Sequence, residues 1–157
     1  VLGDSLCAAI QYKKKFSKEI FKRYHKGGSL GKNLLLVKDI MTSGKKIPTI
    51  DKNKTIGDAA KVISAKKLGL VLVMKKNKLI SIATDGDCRR GLAKFSKNDK
   101  IEKIANRNPF KINEDTTAYK ALSIMNQKKI TSLVVSSESG KIKGICHIHH
   151  LLSHGIK

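Results

Sequence analysis

Two stretches of the chain carry apolar residues at positions i, i+3, i+4 and i+7, and the second stretch lies 62 positions after the first. This spacing places four apolar side chains on one face of a helix. We therefore predict helices at residues 56–67 and near residues 117–128. The residues that set the pattern are Ile56, Ala59, Ala60 and Ile63 in the first stretch, and Ala118, Ala121, Leu122 and Met125 in the second.

Each predicted helix is followed by two short apolar runs that a polar turn separates. The first pair of runs, Leu70–Met74 and Leu79–Ala83, flanks the turn KKNK. The second pair, near Leu133–Val135 and Ile142–Ile148, flanks the turn SSESGK. Apolar runs of this length bounded by turn residues predict two pairs of antiparallel strands.

The segment that ends each strand pair is itself repeated. LISIATDGDCRR at Leu79–Arg90 has an altered copy, IKGICHIHHLL, at Ile142–Leu152, and both combine a strand, a small polar turn and a helix. Pro48 and Pro109 each precede a short extended segment, which is followed by the predicted helix of the same copy. Proline suits the first position of such a strand. These matches indicate an internal duplication. The predicted fold is α+β, with the order short strand, helix, strand, strand, helix in each copy.

Composition narrows the class of protein. At 157 residues with 40% hydrophobic residues and no Trp, the chain can form one compact domain or two small interlocked ones with an aliphatic core. Its longest apolar run, Leu68–Met74, is far shorter than the roughly 20 residues of a membrane span. Cys7, Cys88 and Cys146 are odd in number and wrongly spaced for a disulfide framework, which predicts a reducing, cytoplasmic location. Because the chain opens without Met, on VLGDSL, we expect it to be a fragment of a longer protein.

The formal net charge of +21 raises the question of nucleic-acid binding. Nearly all the positive charge is lysine scattered along the chain, and no RNA-binding aromatic motif or zinc-finger spacing accompanies it. The pattern favours solvated surface lysines over a polyanion site, so we do not expect nucleic acid as a partner. The charge should still attract small phosphorylated ligands.

Thr84-Asp85-Gly86-Asp87 is the best candidate ligand site. Thr84 stands at a predicted helix N-terminus, whose free N–H groups suit anions, and Asp87 can accept hydrogen bonds from two sugar hydroxyls. Arg89 and Arg90 on the first turns can pair with phosphate. Thr-x-x-Asp is also an ordinary capping box, and the sequence supports both interpretations equally.

The second copy replaces Thr-x-x-Asp by His147-Ile148-His149-His150 and so loses the carboxylate. Thr131 and Ser132, at the strand entry, still offer hydroxyls to a shared cleft, and His147 is the candidate ligand-binding residue at the other strand end. His147 and His149 are also weak candidates for metal binding, because on an extended segment they would point the same way. No Cys or carboxylate completes a set in this segment, so we predict no metal and no cofactor.

The residues before position 42 carry a specific resemblance to a known family. Residues 1–24 predict two helices, and GDSL, FSKEIFKRYHKGGSLGKNLL and VKDIM together resemble the end of the sugar isomerase (SIS) domain of bacterial arabinose 5-phosphate isomerases. The usual junction in that family is HPGGxLGxxLL, and Lys26 replaces its proline here. The family carries a pair of CBS domains immediately afterwards, and the duplicated strand-and-helix order of residues 37–157 resembles that pair.

The resemblance implies three parts: residues 1–36 as a remnant of the SIS domain, 37–95 as the first CBS domain and 96–157 as the second. It implies a parent enzyme that interconverts D-ribulose 5-phosphate and D-arabinose 5-phosphate for Kdo and lipopolysaccharide synthesis. His25 inherits a catalytic role in the family, although a His before two glycines can simply cap a helix. The phosphate loop and carboxylate base would lie upstream of Val1, so we expect this chain to be inactive alone.

The resemblance also implies a regulatory ligand. In CBS domains that bind nucleotides, the residues matching Thr84 and Asp87 hold phosphate and ribose, so the expected ligand is a nucleotide or a nucleotide-sugar such as CMP-Kdo. The expected assembly is a homo-oligomer, a CBS dimer within a parent tetramer. Two alternatives remain: a ligand-free CBS dimerisation module, and a basic polyanion-binding protein.

Overall fold

A computed structural model describes residues 35–157 of the chain. The two helices predicted at residues 1–24, His25 and nearly all of the segment assigned to residues 1–36 lie outside the described residues. The α-helices are α1 (Val37–Ile40), α2 (Ile56–Lys66), α3 (Asp85–Leu92), α4 (Ala118–Lys128) and α5 (Ile148–Ser153). The strands are β1 (Thr42–Ser43), β2 (Thr49–Asp51), β3 (Leu70–Lys75), β4 (Lys78–Thr84), β5 (Lys111–Asn113), β6 (Ser132–Ser136) and β7 (Ile142–His147).

The predicted α+β duplication is confirmed by two sheets of matching connectivity. In the first repeat (residues 37–95), β2 pairs with β3 in parallel and β3 pairs with β4 antiparallel. In the second repeat (residues 96–157), β5 pairs with β6 in parallel and β6 pairs with β7 antiparallel. Each antiparallel pair also carries a register shift at the same place, between Val73 and Met74 and between Val135 and Ser136.

The two repeats exchange their leading segments. Strand β1 of the first repeat pairs with β7 of the second, and Asn106 of the second repeat forms a two-hydrogen-bond bridge with Ile82 of β4, at 2.9 and 2.7 Å. Ile101 of the second repeat is fully buried in the apolar cluster of the first. Neither repeat can therefore complete its sheet or its core without the other, and residues 36–157 form one compact unit.

Aliphatic side chains from both repeats meet at the centre of this unit. Leu70 and Leu72 of β3 pack in one cluster with Val134 of β6 and Ile145 of β7, and all four are at most 1% exposed. Each such side chain contributes about 1.5–3 kcal/mol to folding through burial. The cluster holds the two sheets together and so fixes the geometry of the cleft between them.

Local sequence explains where the elements begin and end. Thr55 and Asp58 form a capping box at the start of α2, with Asp58 N–H donating to Thr55 Oγ1 at 3.1 Å. Helices α2 and α4 both end at a lysine in the left-handed conformation, Lys67 and Lys129. The strand predicted near Ile142–Ile148 is confirmed to within one residue, but the prediction that His147 and His149 share an extended segment was wrong: β7 ends at His147, whose ring caps the helix that begins at the next residue. No helix within residues 35–157 is long and apolar enough to cross a membrane.

Candidate ligand-binding cleft

A cavity of about 590 Å³ opens between the two repeats, where α3 begins. The first repeat contributes the end of β4 and the first turns of α3. The second repeat contributes the end of α4, the start of β6 and the segment before β5. The lining residues predicted from the sequence are Thr84, Asp85, Asp87, Arg90, Thr131 and Ser132. The structure therefore brings six of the eight candidate ligand-binding residues into one cavity.

The Thr84–Asp87 turn owes its shape to reciprocal hydrogen bonds at the N-terminus of α3. Asp87 N–H donates to Thr84 Oγ1 at 3.1 Å, and Thr84 donates to Asp87 Oδ2 from its N–H at 2.9 Å and from its hydroxyl at 2.7 Å. Asp85 N–H donates to Gly69 O at 3.0 Å, which ties the turn to the start of β3. The capping box is thus real, and it presents the helix N-terminus to the cavity.

The second carboxylate oxygen of Asp87 faces a movable cation. Arg90 Nη2 donates to Asp87 Oδ1 at 2.7 Å, and the Arg90 side chain is 73% exposed. An ion pair this exposed contributes only about 0–1 kcal/mol. Arg90 can therefore leave Asp87 for a ligand phosphate at small cost, and Oδ1 then becomes free to accept hydrogen bonds from sugar hydroxyls.

The second repeat supplies the opposite wall. The Ser132 hydroxyl donates to Leu68 O at 2.9 Å, so its proton is engaged while its oxygen can still accept. Lys129 and Phe110 also line the cavity, and Lys128 Nζ lies 5.5 Å from the centre of the half-exposed Phe110 ring. Neither Lys129 nor Phe110 was predicted from the sequence to line a site. Phe110 could have been noticed as an aromatic residue beside Pro109 in a chain with only 4% aromatics.

Two of the eight candidate ligand-binding residues do not line the cavity. Arg89 is exposed on α3 and is not among the residues that line the cavity. His147 is 8% exposed and occupies the place of Thr84 in the second repeat, because it pairs with Ser132 as Thr84 pairs with Leu70. The cavity is therefore asymmetric in chemistry although the backbone is duplicated.

The histidines of the second repeat form their own cap. His147 N–H donates to His150 Nδ1 at 3.3 Å, and His149 N–H donates to His147 Nδ1 at 3.2 Å. His150 Nε2 lies 3.4 Å from Thr42 Oγ1 of β1. Burial lowers the pKa of both His147 and His150 from the ordinary value, and the neighbouring imidazoles lower it further. Both rings thus favour the neutral state in which Nδ1 can accept a hydrogen bond.

Metal and thiol chemistry lack support within residues 35–157. The rings of His147 and His149 lie 4.9 Å apart, but no three His, Cys, Asp or Glu side chains in this part of the chain are grouped to hold a metal ion. Cys88 and Cys146 are buried, and burial raises the pKa of both thiols, that of Cys146 to about 12. Neither cysteine is therefore a ready nucleophile.

Comparison with known sequences assigns both repeats. The sequence profile of the CBS domain matches residues 37–94 and 101–157. The chain is 38% identical to arabinose 5-phosphate isomerase KdsD of Francisella tularensis, over 97% of this chain and 47% of that protein. It is 34% identical to the KdsD protein of Yersinia pestis, over 99% of this chain and 48% of that protein. The chain thus spans about half the length of these curated relatives.

Solved structures share the fold. The CBS domain pair of protein MJ0100, in complex with 5'-methylthioadenosine and S-adenosyl-L-methionine, is 26% identical with a TM-score of 0.68, and the match covers 79% of this chain and 99% of that one. CBSX2 in complex with AMP matches with a TM-score of 0.67 at 19% identity, over 78% of this chain and 96% of that one, a likeness that concerns the fold alone.

Proposed function

The chain belongs to the CBS domain family, and on that premise we propose that its cleft binds a nucleotide or a nucleotide-sugar as the regulatory module of an arabinose 5-phosphate isomerase. The similarity to KdsD proteins along almost the whole chain supports the parent enzyme. The adenosine ligands of the related MJ0100 structure support the ligand class. CMP-Kdo, a late product of the Kdo pathway, is our specific candidate.

The observation that carries this proposal is the convergence of both repeats on one cavity. Thr84 and Asp87 come from one repeat and Thr131 and Ser132 from the other, yet all four line the same space. A ligand there contacts both repeats at once. It can bias the relative population of two arrangements of the module only if it binds one of them more tightly.

Each group has a distinct role in the proposed complex. Asp87 accepts from the two ribose hydroxyls once Arg90 moves away, and the N-terminal N–H groups of α3, together with Arg90, bind phosphate. Phe110 offers a flat apolar surface to the base, and Lys129 adds a second cation to the cavity lining. His25, outside the described residues, would act in the catalytic domain of the full-length enzyme. We propose that the present chain is catalytically inactive by itself.

Asp58 provides a matched control for testing Asp87. Asp58 caps α2 with the same Thr-x-x-Asp geometry but does not line the cavity. We expect Asp87→Ala and Asp58→Ala to lower stability similarly, by about 0.5–2 kcal/mol, because each removes a cap. Only Asp87→Ala should abolish binding of CMP-Kdo, AMP or S-adenosylmethionine, measured by calorimetry and by thermal shift.

Two results would contradict the proposed ligand binding or the role of Asp87 in it. If none of the three ligands raises the melting temperature of the parent chain at saturating concentration, the sensing role is refuted. The ligand-free dimerisation module would then be the better explanation, and it requires a robust dimer by analytical ultracentrifugation. If Asp87→Ala binds as tightly as Asp58→Ala, the carboxylate serves only as a cap.

Two further assignments rest on the same proposal. We place the protein in the cytoplasm, because Cys88 and Cys146 are free thiols and Kdo precursors are phosphorylated metabolites. We also propose that the CBS pair forms a homodimer within a tetrameric parent enzyme. Light scattering on the chain and on the full-length enzyme would measure both assemblies.

A further inference from the structure

A second cavity, of about 250 Å³, lies on the first sheet away from the nucleotide cleft. Three cations from separate segments line it: Lys52 after β2, Lys75 at the end of β3, and Arg107 from the second repeat. Ser81 of β4, only 3% exposed, lines it as well, and Glu102 is its one acidic lining residue. Three cations and one carboxylate leave this small space with a net charge of about +2.

A β-bulge shapes the cavity. Val73 pairs with Ser81 and Met74 pairs with Leu79, so Ile80 is the extra residue between two regular pairs. Bulges bend a strand and redirect its side chains, and they are frequent beside functional sites. Here the bulge brings both Ile80 and Ser81 to the cavity wall.

Because the fold is duplicated, the cationic cavity can be compared with the equivalent position in the second repeat. Lys52 N–H donates to Met74 O at 3.0 Å, and in the second repeat Glu114 N–H donates to Ser136 O at 3.0 Å, so Glu114 is the counterpart of Lys52. The second repeat has the same bulge, with Lys143 as the extra residue. There Lys143 Nζ lies 3.7 Å from Glu114 Oε1, so the charges of the second repeat neutralise each other.

The counterpart of the cavity is also occupied by the protein itself. Gly144 stands in the place of Ser81, and a Cβ there would lie 2.7 Å from Met41 Sδ. In the first repeat Ala105 replaces Met41 and leaves the space open. Within residues 35–157, no ion pair joins Lys52, Lys75 or Arg107 to a carboxylate. The same backbone is closed and neutral in one repeat, and open and cationic in the other.

We infer that this cavity is a binding site for a phosphate group, either free or esterified to a small molecule. A phosphomonoester carries a charge of about −1.5 to −2 at pH 7, which matches the net charge of the lining residues. Arg107 can pair bidentately with two phosphate oxygens, and the two lysines act as point charges. The Ser81 hydroxyl can donate to a third oxygen. This site is separate from the nucleotide cleft and does not depend on the proposed function.

The test uses the whole chain titrated with inorganic phosphate at constant ionic strength, with chloride as the balancing anion. Binding is followed through the amide chemical shift of Ser81, and the dissociation constant is compared among variants. Arg107→Gln should weaken binding at least about tenfold, because it removes a charged bidentate partner. Lys52→Glu, which copies the second repeat, should abolish it. Lys78→Gln removes a charge from the same hairpin outside the cavity and should change binding less than about twofold.

Three outcomes would overturn the inference. Phosphate could shift the Ser81 amide no more than chloride does, Lys78→Gln could weaken binding as much as Arg107→Gln, or Arg90→Gln in the larger cleft could abolish the effect. Circular dichroism melting confirms that each variant folds. Glycerol 3-phosphate is titrated in parallel: tighter binding than inorganic phosphate identifies an esterified phosphate as the ligand, and weaker binding identifies the free ion.

Discussion

Acid should destabilise this protein through the histidine cap of α5, and replacing that cap by the one in α3 should remove the effect. The perturbation is the double substitution His147→Thr with His150→Asp, which restores Thr-x-x-Asp in the second repeat. In the parent chain Nδ1 of each ring accepts a backbone N–H, at 3.2 Å for His147 and 3.3 Å for His150. A proton on Nδ1 abolishes that acceptor and places positive charge at a helix N-terminus, where it is unfavourable.

Proton linkage gives the direction and the size of the change in the free energy of unfolding with pH. Burial and neighbouring imidazoles lower the pKa of His147 and His150 in the folded state below the ordinary value of 6.5. The unfolded chain therefore takes up protons first as the pH falls. The stabilising contribution is complete above pH 6.5, declines below it, and levels off once the pH passes below the folded-state pKa. The slope cannot exceed about 1.4 kcal/mol per pH unit for each histidine.

Urea unfolding followed by circular dichroism at intervals from pH 7.5 to pH 5 measures this slope. We expect the double variant to lose the part of the slope that the two histidines cause. His154→Gln should keep most of it, because burial is the largest cause of the lowered pKa of His150 and the neighbouring His154 imidazole is a smaller one. A parent chain whose free energy of unfolding is level over this range, or a double variant with the parent slope, would refute the reasoning.

Three further predictions concern the interlocked repeats and the buried thiols. Ile101→Ala should cost about 2–5 kcal/mol in urea unfolding, because Ile101 is fully buried in the core of the other repeat; two separate transitions in the parent chain would contradict the interlocking. Gly144→Ala should cost about 1–3 kcal/mol, because the new Cβ would lie 2.5 Å from Thr42 O and force β1 away from β7. A calorimetric melting temperature equal to that of the parent would count against it. In a Cys7→Ser, Cys88→Ser variant, Cys146 should react with Ellman's reagent at pH 8 only as fast as the chain unfolds, because the side chain is fully buried and burial raises the pKa of its thiol to about 12; rapid labelling of this variant in its native state would disprove the burial of Cys146.

The repeated elements could be predicted from the sequence because their causes are local. Helical periodicity, apolar runs and the Thr55–Asp58 box depend on residues within a few positions of each other, and α2, α4 and both hairpins appear where the pattern placed them. The same locality explains the error at His147. An imidazole that caps a helix has no distinct sequence signature, so the extended segment was predicted to include His149.

The tertiary structure alone decided which residues share a site. Lys129 and Phe110 join Thr84 and Asp87 only because the two sheets pack through Leu72 and Ile145. The exchange of β1 and Ile101 between the repeats joins residues distant in the chain, since Thr42 pairs with Ile145 and Ile101 packs in the same cluster as Ile50, and no periodicity encodes such contacts. The sequence alone determined a duplicated α+β unit and one capped helix N-terminus. Packing decided that the cleft is lined by both repeats and that a cationic cavity stays open in only one of them. Both depend on tertiary structure because side chains distant in the chain meet only when the core forms and excludes water.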